Sequence, residues 1–170
     1  MGSYLRFDSL TCEARTVVRR LLPLCTIVAL ACGGHPAAVT PIPQTMDQAL
    51  SQFLGAVKAN DLRRMGSLMG TADRGPWIEW ENPEILNKRL AVIQKYLAFT
   101  GYRVVEGPIT QATTPNFRTF RVELQRDQCA HVQPIDLVQA RRGGWLVVDV
   151  HLESAPNPVV GCQPPPGTRP

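Results

Sequence analysis

The sequence predicts an α+β domain in which N-terminal helices pack on an antiparallel sheet. Two observations carry that expectation. Between Thr45 and Phe99 apolar residues recur at helical spacing in three runs, each opened by a capping residue. Between Tyr102 and Leu152 the pattern turns to alternation, broken by Gly, Pro and Asn turns. Helices followed by a strand meander is the α+β order.

Taken in order, Thr45 stands as an N-cap with Gln48 three residues on, the layout of a capping box. Met46, Ala49, Leu50, Phe53, Leu54 and Val57 then share one helical face, to about Ala59. Asn60 closes that helix in a left-handed conformation, and Asp61 caps a second one, Leu62–Met69, stopped by Gly70. Its Leu62, Met65, Leu68 and Met69 form an apolar face, with the methionines as core filler. Thr71–Glu81 reads as a loop or short strand whose Trp77 and Trp80 pack on the domain or roof a cavity. Asn82-Pro83-Glu84 supplies a cap, a first-turn proline and an acid. The third helix, Pro83–Phe99, buries Ile85, Leu86, Leu90, Ile93, Leu97 and Ala98 and ends at Gly101.

The strands follow. Tyr102–Glu106 is closed by Gly107-Pro108, and Ile109–Thr113 is a short edge strand. Thr114-Pro115-Asn116 turns into Phe117–Arg126, with Arg118, Phe120, Val122 and Leu124 on one face and Phe117, Thr119, Arg121 and Glu123 on the other. Asp127-Gln128 turns into Cys129–Ala140, where Pro134 marks a bulge or an edge. Arg141–Gly144 is a hairpin loop. The last strand, Trp145–Leu152, sends Leu146, Val148, Val150 and Leu152 to the core and Trp145, Val147, Asp149 and His151 the other way. Ser154–Pro170 is a proline-rich tail without a core pattern.

Ahead of the domain, Arg19-Arg20 precedes about eleven apolar residues, Leu21–Ala31, and then Cys32. A basic start, a short apolar run and small residues at the cut form an export signal. The run is shorter than the roughly 20 residues a bilayer span needs. Ala29-Leu30-Ala31-Cys32 reads as a lipobox that makes Cys32 a lipidated first mature residue; an ordinary signal-peptidase site would cut the same bond. Asp8 and Glu13 sit poorly in a signal start, so translation from Val17 or Val18 is an alternative beginning. Residues 1–31 are thus a signal peptide, 32–44 a Pro/Gly tether, 45–153 the domain and 154–170 the tail.

Cleavage leaves 139 residues, enough for one domain with its own core. Four of the 18 basic and two of the 14 acidic residues leave with the signal, so the mature chain carries +2 instead of +4. With no basic stripe interleaved with aromatics, nucleic-acid binding is not expected. Cys129 and Cys162 remain as an even pair in an oxidising compartment, which predicts a disulfide tying the tail to the sheet; two unpaired thiols are the alternative. Cys129-x-His131 has no second close pair to answer it, so no metal site is expected, nor any cofactor.

The stretches ALSQFLGAVKANDLRRMGSLM, YLAFTGYRVVEG, FRTFRVELQRD and RRGGWLVVDVHL, in that order, resemble the cone-shaped nuclear-transport-factor-two-like fold. The likeness is closest to small bacterial lipoproteins with such domains and covers Thr45–Glu153. It implies N-terminal helices packed on a curved antiparallel sheet. Enzymes of this fold place an Asp or His, often with a Tyr, inside the cone, which nominates Asp149, His151, His131 and Tyr102 here. Asp149 and His151 lie on the strand face opposite the aliphatic one, so for both a solvated outer face is the plainer reading. The fold also hosts plain binding modules.

The expectation is therefore a lipid-anchored protein of the cell envelope, on the periplasmic face of the outer membrane or the cell surface, or soluble and periplasmic or secreted if unlipidated. Its domain binds an apolar small molecule, a peptide or an envelope protein without catalysis. A small-molecule isomerase, dehydratase or cyclase is the alternative. Partners are the membrane, through the lipid on Cys32, and that ligand or protein, with a homodimer left open.

Overall fold

A computed structural model of the chain describes residues 41–111, 114–126 and 129–159. The export segment, Cys32, Asp127-Gln128 and Cys162 lie outside these residues, and with them the lipidation site and the expected disulfide.

Local chemistry sets the helix ends. Helix α1 (Met46–Ala59) starts where Thr45 Oγ1 accepts the Gln48 amide at 3.2 Å, and ends at Asn60 in the left-handed region, φ 54°. Helix α2 (Leu62–Leu68) is capped by Asp61, whose Oδ1 accepts the Arg64 amide at 2.8 Å. Met69, expected as the end of that helix, is extended instead and bridges Val147 in parallel. The Trp-bearing segment folds as a two-residue ribbon, β1 (Gly70–Thr71) and β2 (Gly75–Pro76), followed by a 3-10 turn over Trp77–Glu79.

Helix α3 (Pro83–Leu97) begins with Asn82 Oδ1 accepting the Glu84 and Ile85 amides. Leu86, Leu90, Ile93 and Leu97 form its buried stripe. Ile85, expected inside, is 53% exposed, because one residue of helix turns it about 100° away from that stripe. The helix stops two residues short of Phe99. Its last carbonyls are taken by Arg126: Nε donates to Ala98 O at 2.7 Å and Nη2 to Tyr96 O at 2.6 Å and Lys95 O at 3.3 Å.

Four strands, β3 (Gly101–Gln111), β4 (Thr114–Arg126), β5 (Cys129–Gln139) and β6 (Trp145–Asp149), form a curved, unclosed antiparallel sheet in the order β3-β4-β5-β6. The two short strands expected over 102–113 are one strand, β3, with irregularities at Val105 and at Gly107-Pro108. Pro115 and Asn116, expected as a turn, are part of β4. Pro134 lies beyond the last β5–β6 pair, where β5 no longer has β6 beside it.

The helices cover one face. Phe53, Leu54, Val57, Met65, Leu90 and Leu97 pack against Phe120, Val122, Leu124, Ile135, Leu137 and Val147. Each such side chain removed from water stabilises by roughly 1.5–3 kcal/mol. The expected faces of β6 are reversed. Val147 pairs with Leu137 and enters this core, with Trp145 packed against it, while Leu146 lies on the far face with Val138 and Ala140, Val148 beside them. Between the pairs Leu137–Val147 and Asp136–Asp149 β6 carries one extra residue, and this bulge returns Val150 to the main core.

Candidate functional site

The sheet separates the four nominated residues onto two faces. On the helix side, Tyr102 pairs with Leu124 and Leu124 with His131, so the three form one row across β3, β4 and β5. Two strand spacings separate Tyr102 from His131, about 10 Å, with Leu124 between them. The Tyr102 ring meets Phe99 edge-on at 5.6 Å between centroids. His131 is half-buried, and among the described residues neither ring nitrogen has a hydrogen-bond partner. Burial, and next the charge of Arg126, hold its pKa below the usual imidazole value, against a weaker opposing pull from the neighbouring Gln133 amide, which does not reach hydrogen-bond geometry.

Gln133 itself is fully buried, and its Nε2 donates to the backbone carbonyls of Val150 and His151. It pins the end of β6 to the middle of β5.

On the far face, Asp136 lies between Thr119 and His151. It is 5% exposed, its Oδ1 accepts the Thr119 hydroxyl at 2.7 Å, and its Oδ2 lies 2.7 Å from His151 Nε2. The other ring nitrogen, Nδ1, is 3.0 Å from Glu153 Oε1. Asp149, paired with Asp136 across the strands, accepts the amides of Val150 at 2.7 Å and His151 at 3.1 Å on Oδ1. That turn delivers His151 in the left-handed region, φ 44°. For the His151 imidazole, burial works to lower the pKa. The hydrogen bonds to Asp136 and Glu153 and the charges of Asp136 and Asp149 outweigh it and raise the pKa above the usual value.

This geometry has a chemical consequence. A histidine acting as general acid or base presents one ring nitrogen to the reacting group. Here both nitrogens face the protein's own carboxylates, which favours the doubly protonated ring and makes His151 a bridge between Asp136 and Glu153. Asp136, the buried member of this set, escaped sequence reasoning. An acid inside the apolar run Ile135–Val138 was its one local signal.

A groove of about 390 Å³ opens between α3, the 3-10 turn and the end of β6. Met69, Trp77, Val92, Ile93, Val150 and Leu152 line it. Arg89 and Asp149 border it. The Arg89 guanidinium lies 5.1 Å from the centre of the Trp77 ring and donates to Glu81 at 3.2 Å, so its charge is already partnered. No protein-family model, curated protein or solved structure matches the chain. The groove's own chemistry is what remains to read, and it is apolar with one cation, Arg89, and one carboxylate, Asp149, at the rim. Among the described residues no three His, Cys, Asp or Glu side chains converge as a metal site, and no helix is long and apolar enough to cross a membrane.

Proposed function

We propose that the chain is an exported, lipid-anchored envelope protein whose domain, a variant of the nuclear-transport-factor-two-like cone, binds an apolar ligand without catalysis. The observation that carries the reading is the groove lined by Met69, Trp77, Val92, Ile93, Val150 and Leu152, beside an interior already filled by Leu, Phe and Met side chains. Anchoring rests on the apolar run that ends in Ala31-Cys32 and on the Pro/Gly tether after it.

Binding is tested by titrating the full chain with 1-anilinonaphthalene-8-sulfonate, an apolar anionic dye. Saturable uptake at one site is expected, weakened at least tenfold in Val92→Asp, a change at a half-exposed helix position that should leave the fold intact, as checked by circular dichroism. Unsaturable uptake, or equal uptake by the variant, rejects the groove. Anchoring is tested separately by expression in a bacterium beside Cys32→Ser. An acyl mass on the N-terminal peptide and membrane fractionation are expected of the wild type alone.

A further inference from the structure

The β3 edge carries a charge pattern that is complementary to itself. On β4, Arg121 and Glu123 are two residues apart and therefore share a face. Glu123 accepts from Arg103 at 2.9 Å and Arg121 donates to Glu106 at 3.1 Å. Arg103 and Glu106 consequently lie on that same face although they are three positions apart. The extra residue Val105, which has no partner on β4, makes this so. The side chains of Arg103 and Glu106 are 67% and 54% exposed, so both have room for a further partner.

Along β3 no strand pairs with the outer edge among the described residues. Tyr102, Val104 and Val105 are also exposed there, which adds apolar side chains to a free ladder of backbone groups.

We infer that β3 pairs antiparallel with β3 of a second copy of this chain, about a two-fold axis between Val104 and Val105. That register sets Arg103 of each copy opposite Glu106 of the other. Each arginine then lies between two carboxylates, its own Glu123 and the second copy's Glu106. The ion pairs of the two sheets join into one alternating ladder. A two-fold axis demands such self-complementarity, since the same residues are used twice. A strand edge of one net sign would repel its copy. Pro108, which has no amide hydrogen to donate, ends the pairing on both sides and keeps the assembly at two copies.

Charge reversal tests this in a way that misfolding cannot imitate. The full chain, held in mild detergent micelles, is weighed by light scattering during size exclusion, alone and after mixing. Wild type is expected as a dimer. Arg103→Glu and Glu106→Arg, each alone, place like charges opposite each other twice and should weaken dimerisation roughly tenfold to a hundredfold. An equimolar mixture of the two variants restores opposite charges at both positions, so a mixed dimer is expected at near wild-type affinity. A wild type that stays monomeric at every concentration, as it would if its own terminal segments covered β3, overturns the inference. So do single variants that dimerise as well as wild type, or a mixture that stays monomeric.

Discussion

Along β6 the outer edge of the sheet is occupied by chain from elsewhere in the molecule, whereas among the described residues no segment covers the outer edge of β3. Met69 bridges Val147, the Trp145 amide donates to Pro43 O at 2.8 Å, and the Arg141 amide donates to Ala72 O at 3.0 Å. The segments before α1 and after α2 thus close that side, and the side chains beneath it (Leu137, Leu146, Val147) are fully buried. On the other side Tyr102 and Val104 face the helices' side of the sheet at 42% and 43% exposure, beyond the helices among the described residues. Sheets need their edges protected. This one uses covalent neighbours at β6 and ion pairs, a bulge and a proline at β3.

If burial rather than strand pairing separates the two edges, equal substitutions must have unequal effects. Val147→Asp places an unpaired charge in the core and should abolish cooperative unfolding, read by circular dichroism during a thermal scan. Val104→Asp, measured at a dilution at which the chain is monomeric, should stay within about 0.5 kcal/mol of wild type. A folded Val147→Asp would break the comparison.

The hairpin leading into β6 sharpens it further. Gly143 and Gly144 have φ of 88° and 82°. A Cβ at Gly143 meets nothing within 4 Å, while at Gly144 it lies 2.6 Å from Ile42 Cγ2 and 2.8 Å from Pro43 O. Gly143→Ala should cost about 1–2 kcal/mol from backbone strain alone. Gly144→Ala should cost about 3 kcal/mol or more, since it also pushes away the segment that covers the edge. Urea unfolding of the pair reads the difference directly.

Smaller effects should follow from the two histidines, with opposite signs in pH. The folded pKa of His151 is raised, so its contribution to stability is complete below about 6.5, the unfolded value, and is lost as pH rises through the folded value. The folded pKa of His131 is lowered, so its contribution is complete above about 6.5 and is lost as pH falls through the folded value. Denaturant midpoints should therefore show His151→Gln destabilised more at pH 5 than at pH 9. His131→Phe should lose less stability on acidification than wild type does. A change comparable to that of Val104→Asp is expected in the monomer of Arg103→Ala, which removes an exposed ion pair worth about 0–1 kcal/mol.

How far these contrasts were legible follows from the range of the interactions. Thr45, Asn60, Asp61 and Asn82 were readable as helix ends because a cap is made with amides two or three residues away. The orientation of β6 was not readable. Alternation gives two faces but does not say which one the helices cover, and the bulge opposite Asp136 changes the phase within the strand itself. Asp136 was hidden for the same reason. Its burial depends on Thr119 and His151, seventeen and fifteen residues away in sequence, which only strand pairing brings near. The tie of His151 to Asp136 has no local sign in the sequence.

The clamp of Arg126 on the last carbonyls of α3 bears on how the domain could be taken apart. A helix that ends on its own glycine is a portable module. α3 ends instead on a side chain from a strand 28 to 31 residues further along the chain. A peptide spanning 82–98 keeps its Asn82 start but leaves its final turn without that donor, and its C-terminal half should fray while its first turns persist. Within the domain, amides of that last turn should exchange with solvent only as fast as β4 itself opens. The helix and the strand then report a single event.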